Sequence, residues 1–293
     1  MRRKALSKVI QKNSGEQIEM RKKRNWIEIL TECKDNVQTK IKPLLKTLDR
    51  PQPSSGVGAG GDPIRDIDLT AEKAIVDTLK GKKIDFTLIS EESGIVKYGD
   101  NSFECYVTTD PIDGTTNLLR GAPFYATSIA VSEQPFLRAI QAGIVADLFH
   151  GTAYTAEEGV GAYRDGHKIS SSPRVSVQEG VIGLDLNSYR IKELAPKLTA
   201  LMAEAKHLRH FGANALELCY VADGTIDAFI DIRGKLRTTD VAAASLIIRE
   251  AGGILTTPEG RSLDAKLDPK QKVEFIAAAN EEVHQRILRL ISG

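Results

Sequence analysis

The chain has few of the features that mark a compartment or a covalent scaffold. Only three of its 293 residues are cysteine, Cys33, Cys105 and Cys219. They are odd in number and far apart, which leaves no disulfide framework and no C-x-x-C zinc pattern, so reduced thiols are expected. No apolar run approaches the roughly 20 residues needed to cross a bilayer. None follows the basic opening stretch MRRKALSKVIQKNSGEQIEMRKKR to make a secretory signal. A cytoplasmic protein outside the membrane is the expectation. Net charge is nearly absent as well, at +1, yet residues 1–24 hold nine Lys and Arg against two Glu while the remainder is mildly acidic. That arm lacks aromatics and any nucleic-acid signature, so a solvated extension is expected rather than a nucleic-acid-binding element. His150, His167, His207, His210 and His284 show no ligand spacing, which favours surface or capping roles. Internal repeats are absent.

What remains is an ordinary globular composition, 41% hydrophobic and 27% charged, long enough for two domains sharing one interface. From Trp26 to Leu48 apolar residues recur at three and four, predicting an amphipathic helix with a kink at Pro43. RPQPSSGVGAGGDPIRD, residues 50–66, is too rich in Gly and Pro for a regular element and is expected to be a mobile functional loop. Helical spacing resumes from Asp68 to Lys80, with Gly81 as its C-cap and Asp68 and Glu72 on one face. Strands are predicted over 84–89, 105–109, 126–133, 137–147, 151–157 and 160–164, with Asp165 and Gly166 making a hairpin turn. This half, residues 25–178, reads as helices on an antiparallel sheet. After the Ser and Pro rich stretch 170–180, residues 179–293 alternate strands (VIGLDL, KHLRH, IDAFIDI, GGILTT, VEFIAAA) with helices near 190–205, 213–222, 240–251 and from Glu281. Alternation of this kind predicts a layered α/β domain.

Chemistry concentrates in TTDPIDGTTN, residues 108–117. A strand ending at Thr109 would carry Asp110 at its tip, Pro111 would fix the turn, and Gly114 would leave room for close backbone approach. Amides of Gly114, Thr115 and Thr116 would open a helix, and free N–H groups at a helix start attract phosphate. Two carboxylates beside an anion site call for a divalent cation, since Mg2+ is held by one or two carboxylates plus phosphate oxygens. A plain Asx-rich turn also explains the Asp and Gly taken alone. A calcium loop does not, because the alternating ligands are missing. The D-x-D-G-T of haloacid dehalogenase phosphatases sets its two aspartates two apart, and here they are three apart. Further carboxylates come from ISEESG, with Glu91 and Glu92 just past a strand, and from TTDVAAASLIIREAGG, with Asp240 at a helix N-cap.

SEES, DPIDGTTN and TDVAAASLIIREAGG, in this order and spacing, resemble the magnesium-dependent, lithium-sensitive superfamily of inositol monophosphatases and fructose 1,6-bisphosphatases, from about residue 26 onward. GAGGDPIRDIDLTAE and FGANALELCYVADGTIDAFID are similar to its archaeal dual-activity type. The resemblance implies an α+β with α/β fold, a layered α-β-α-β-α sandwich, with its active site between the halves, and a homodimer or homotetramer. It implies two or three Mg2+ ions per site, held by Glu91, Asp110, the Ile112 carbonyl, Asp113 and Asp240, with Asp110 bridging. Asp68 and Thr115 would orient and deprotonate water, with Glu91 sharing a further metal. Gly114 and Thr115 would hold phosphate beside Asp113, and Gly212, Ala213 and Asn214 would meet a small phosphorylated sugar or inositol. Asp231 matches the residue that accepts substrate hydroxyls. Arg233 and Arg237, with Arg190, Lys235, His207, Arg209 and His210, could grip a second phosphate or form a solvated basic edge. Thr239 stands where many relatives have Trp, which bears on substrate preference. Thr116 replaces the lysine common in the nucleotide-phosphatase branch. The implied activity is hydrolysis of inositol monophosphate and fructose 1,6-bisphosphate; the alternatives are one of these substrates alone, another small phosphate ester, or a catalytically idle regulatory subunit.

Overall fold

The computed structural model describes residues 24–46, 56–61, 63–100, 105–172, 176–187 and 190–292. All of the basic arm but Arg24, together with Leu48 and residues 50–55 and 62 of the Gly/Pro-rich stretch, lies outside them.

Helix α1 (Trp26–Lys46) buries Leu30, Cys33, Val37 and Ile41 along one stripe, as the three-and-four spacing requires. Pro43 does not end it, because an exposed proline in the last turn sacrifices little of the hydrogen-bond ladder. Where the composition predicts no regular element, Gly56–Val57 (β1) and Pro63–Ile64 (β2) form a short antiparallel ribbon. Helix α2 (Asp66–Gly81) starts two residues earlier than the pattern predicts. Gly81 is its last helical residue rather than its cap, and the left-handed conformation falls on Lys83, at φ 55°.

The next strands are β3 (Phe86–Ser90), β4 (Gly94–Tyr98) and β5 (Cys105–Asp113), followed by the short helix α3 (Thr115–Arg120). Then come β6 (Ala126–Ser132), β7 (Ile140–Asp147), β8 (Ala153–Glu157), β9 (Gly161–Arg164) and β10 (His167–Lys168). Strand β4 escapes the sequence reading, and the strand expected from residue 137 opens instead as a 3-10 turn, Leu137–Ala139. Asp165 and Gly166 form the expected primed turn, both at positive φ. The second half follows as β11 (Val181–Leu184), α4 (Ile191–Glu204), β12 (His207–Arg209), α5 (Asn214–Ala222), β13 (Ala228–Asp231), α6 (Thr238–Glu250), β14 (Ile254–Thr256), β15 (Phe275–Ala278) and α7 (Glu281–Ser292).

Eight strands make one sheet in the order β10-β9-β8-β7-β6-β5-β3-β4, antiparallel except for the parallel pair β3 and β5. Five make a second sheet, β12-β11-β13-β15-β14, with β11 parallel to both its neighbours. Helices α1 and α2 cover one face of the large sheet, where Leu30, Ile75 and Leu79 pack with Leu88, Val107 and Ile144. Helices α5 and α6 fill the space between the sheets. There Cys219, Ala243 and Ile247 join Val145 and Tyr154 of the large sheet to Phe229 and Phe275 of the small one. Helices α4 and α7 close the far side through Leu194, Leu198 and Ile287 against Ile182 and Ile276. The result is the expected α-β-α-β-α sandwich. Small residues on α6 permit the central packing: a Cβ on Gly143 of β7 would lie 3.2 Å from the Ala243 Cα and Cβ.

Candidate active site

In a regular strand, residues three apart point to opposite faces, so Asp110 and Asp113 should diverge. Strand β5 runs on past Thr109 to Asp113, which overturns the expectation of a strand tip at Asp110. Its register against β6 pairs Asp110 with Ser128 and Asp113 with Ala126, shifting by one residue in between. This bulge holds the extra residue and brings both carboxylates to one cavity. Pro111 suits the position, having no N–H to leave unpaired. Strand β3 lies parallel to β5 with Ser90 opposite Thr109, which carries Glu91 toward Asp110.

Asp240 arrives from the second half. It is the third residue of α6 rather than the N-cap expected, and its Oδ2 accepts the Arg237 N–H at 2.8 Å, closing the first turn from inside. Glu91, Asp110 and Asp240 each present an oxygen atom, all within 4.8 Å of one another. Asp113 lies beside them with both oxygens engaged by the start of α5, from Asn214 N–H at 2.9 Å and Ala215 N–H at 2.7 Å. The Thr115 hydroxyl lies 2.9 Å from the Ile112 carbonyl oxygen and 3.4 Å from Asp68 Oδ1. Gly114, at φ 84°, admits the second half closely: a Cβ there would sit 2.9 Å from Ala213 Cβ. Asn117 fixes that approach by donating to the carbonyls of Phe124, at 2.8 Å, and Phe211, at 2.7 Å.

Burial and mutual repulsion dominate the electrostatics. Desolvation, then the charges of Glu91, Asp113, Asp240 and Asp68, push the Asp110 carboxyl well above its ordinary range. Asp113 is pushed up to about 7 by burial and by Asp240, against the pull of the α5 amides. Burial raises Asp240 too, opposed by Arg237, and lifts Asp68 to about 7. Such a nest of anions binds protons or cations. Its donors are carboxylate oxygens with no thiolate among the lining residues, the hard set suited to a divalent ion of the Mg2+ class.

These residues line one cavity of about 500 Å³, whereas Ala213, Asp231, Arg190, His207 and Arg209, also singled out for the site, do not. Asp231 is fully buried, and both its oxygens accept from the Arg233 Nε at 3.0 Å. It is not at the cavity surface, because Arg233 folds back over it. Arg233 also pairs with Asp185, so two aspartates already neutralise it. Arg237 pairs with Glu91 at 2.6 Å and donates to the Gly60 carbonyl at 3.1 Å, which sets it against the acidic cluster. Arg190 turns away to Glu193 and Glu274. Of the basic residues expected near a second phosphate, His210, Lys235, Arg233 and Arg237 line the cavity. Asp185, just past the end of β11, went unnoticed in the sequence; its place beyond the C-terminal end of a parallel strand was the available signal.

The model of the inositol monophosphatase family matches residues 23–293. The chain belongs to that family. A fructose-1,6-bisphosphatase/inositol-1-monophosphatase from Methanothermobacter thermautotrophicus is 34% identical over 274 residues, covering 91% of this chain and 96% of its own. A bifunctional NADP phosphatase/NAD kinase from Methanococcus maripaludis is 32% identical over 92% of this chain, which spans 50% of that longer protein. Among solved structures, an inositol monophosphatase–fructose 1,6-bisphosphatase superposes with a TM-score of 0.79 at 31% identity, covering 91% of this chain and all of that one. The extragenic suppressor protein SuhB from Bartonella henselae does so at 0.78 and 29%, covering 92% and 98%. Metal dependence is general to the family, in keeping with the acidic cluster.

Proposed function

We propose that the chain is a Mg2+-dependent phosphomonoesterase that hydrolyses inositol monophosphate and fructose 1,6-bisphosphate by attack of activated water. The observation that carries this reading is the convergence of Glu91, just past β3, Asp110, within β5, and Asp240, in the first turn of α6, into one cavity with Asp68 and Thr115. Glu91, Asp110, Asp113, Asp240 and the Ile112 carbonyl would hold two or three Mg2+ ions. Bound there, the ions would lower the pKa of water, offset the charge of the phosphate and stabilise the leaving alkoxide.

The chain's own groups supply the rest. Asp68, raised to about 7, is poised to take a proton near neutrality. Thr115, between Asp68 and the Ile112 carbonyl, orients that proton's path. Gly114 and Thr115 hold the phosphate, and Gly212 and Asn214 face the alcohol. Ala213 acts from beneath, by packing against Gly114. Relatives that include an NADP phosphatase widen the possible esters. The cavity lining, however, has no Phe, Tyr or Trp among its described residues and offers an adenine only the His210 imidazole to stack on, which favours a compact polyol phosphate. A homodimer or homotetramer in the cytoplasm completes the proposal.

The test is phosphate release from inositol 1-phosphate and fructose 1,6-bisphosphate with Mg2+ and with a chelator. Turnover that requires Mg2+ is expected. No release under either condition would refute the reading and favour an idle regulatory subunit.

A further inference from the structure

The acceptor of substrate hydroxyls is better placed at Asp185 than at Asp231. Asp231 is sealed: it is 0% exposed, and Arg233 engages it through Nε, Nη2 and its own backbone N–H. Asp185 lies on the other side of the same guanidinium, which bonds it through Nη1. Its Oδ1 accepts the Asn187 N–H at 2.8 Å, and it lines the cavity. Arg233 is thus clamped between two carboxylates, and only the outer one reaches the open space. A carboxylate has about four acceptor positions. Among the described residues, Asp185 spends one on Asn187 and one on Arg233, and His210 Nε2, 3.8 Å from Oδ2, stands too far off to take a third, which leaves two.

We infer that Asp185, oriented by the Arg233–Asp231 pair, is the specificity-determining residue for the alcohol half of the substrate and accepts hydroxyls of a polyol. The inference rests on the phosphatase reading and deepens it. Two free acceptor positions on one fixed carboxylate match two neighbouring hydroxyls of a ring. Arg233 offsets the charge of Asp185, so the approach of an anionic ester is opposed less than it would be by an isolated aspartate. The arrangement makes Arg233 a positioning residue, a different role from the second-phosphate contact that its charge alone suggests. Among the basic residues of this wall, Lys235 is half-buried and its ammonium bonds a carbonyl, that of Asn187 at 2.6 Å.

The test compares kcat/KM for inositol 1-phosphate with that for cyclohexyl phosphate, which keeps the ring and the poor leaving group but lacks the hydroxyls. With Mg2+, the native protein is expected to prefer the inositol ester by tenfold or more, since hydrogen bonds to a charged group carry about tenfold to a hundredfold each. In Asp185→Asn, and in Asp185→Ser should the amide disturb Arg233, that ratio is expected to fall by at least tenfold. A native protein that treats both esters alike overturns the inference, as does a ratio unchanged in a folded variant whose two rates fall together. Absence of phosphate from both esters in the native protein is a different failure: the phosphatase reading falls, and this inference with it.

Discussion

Asp110→Asn should destroy the activity and, in the absence of metal, strengthen the fold. Asp110 is buried and faces Glu91, Asp113, Asp240 and Asp68. Two unit charges 4.8 Å apart repel by about 3 kcal/mol at an effective dielectric of about 20. Arg237 offsets the charge of Glu91 and, in part, that of Asp240, and this offset together with partial protonation reduces the net repulsion to about 1 to 2 kcal/mol at pH 8. Replacing the carboxylate by an amide removes that cost, which corresponds to a rise in Tm of roughly 2 to 6 °C. The pH dependence has a definite sign. Carboxyls raised in the folded state favour folding most below their unfolded values near 4, and this advantage is lost as pH climbs through about 7, the value reached by Asp68 and Asp113. The gain from Asp110→Asn should therefore be small at pH 5 and full at pH 8. Thermal melts in chelator at both pH values, with phosphate release in Mg2+, make the assay. Activity should fall by more than the 10- to 100-fold typical of groups one shell out from a metal. A variant less stable than the native protein in chelator at pH 8, or one that keeps Mg2+-dependent turnover, refutes the reasoning.

Asp113→Asn should behave differently, because an amide cannot accept from both Asn214 and Ala215. A loss of about 1 to 3 kcal/mol, measured by urea unfolding with and without Mg2+, is expected from the donor left unpaired at the start of α5. Arg233→Met leaves Asp185 and Asp231 without their counter-charge and should cost about 3 to 5 kcal/mol in the same measurement.

The acidic motifs were legible because each sits where secondary structure forces a fixed direction on the chain, after β3, in β5 and in the first turn of α6. Five strand patterns interspersed with four helical ones after residue 180 likewise announced the second sheet. What the pattern hid was geometry two or more contacts deep. The bulge after Asp110 depends on register against β6, which no local spacing reports. Strand β4 was missed because Gly94 and the exposed Ile95 and Lys97 weaken its apolar alternation. The sealing of Asp231 needed the rotamer of Arg233, and the pairing of Arg237 with Glu91 joins residues 146 apart in sequence. Charge alone made both arginines look available.

Helix α6 carries Asp240 on a shaft whose residues from Thr238 to Ile248 are all shielded from solvent. Its alanine methyls are buried, and Ala243 lies so near Gly143 that a Cβ there would meet it at 3.2 Å. The acidic trio is consequently assembled by hydrocarbon contacts remote from any cation. Enlarging one of those methyl groups would shift a ligand without touching it, so affinity for the ion becomes a readout of how well the middle layer is packed.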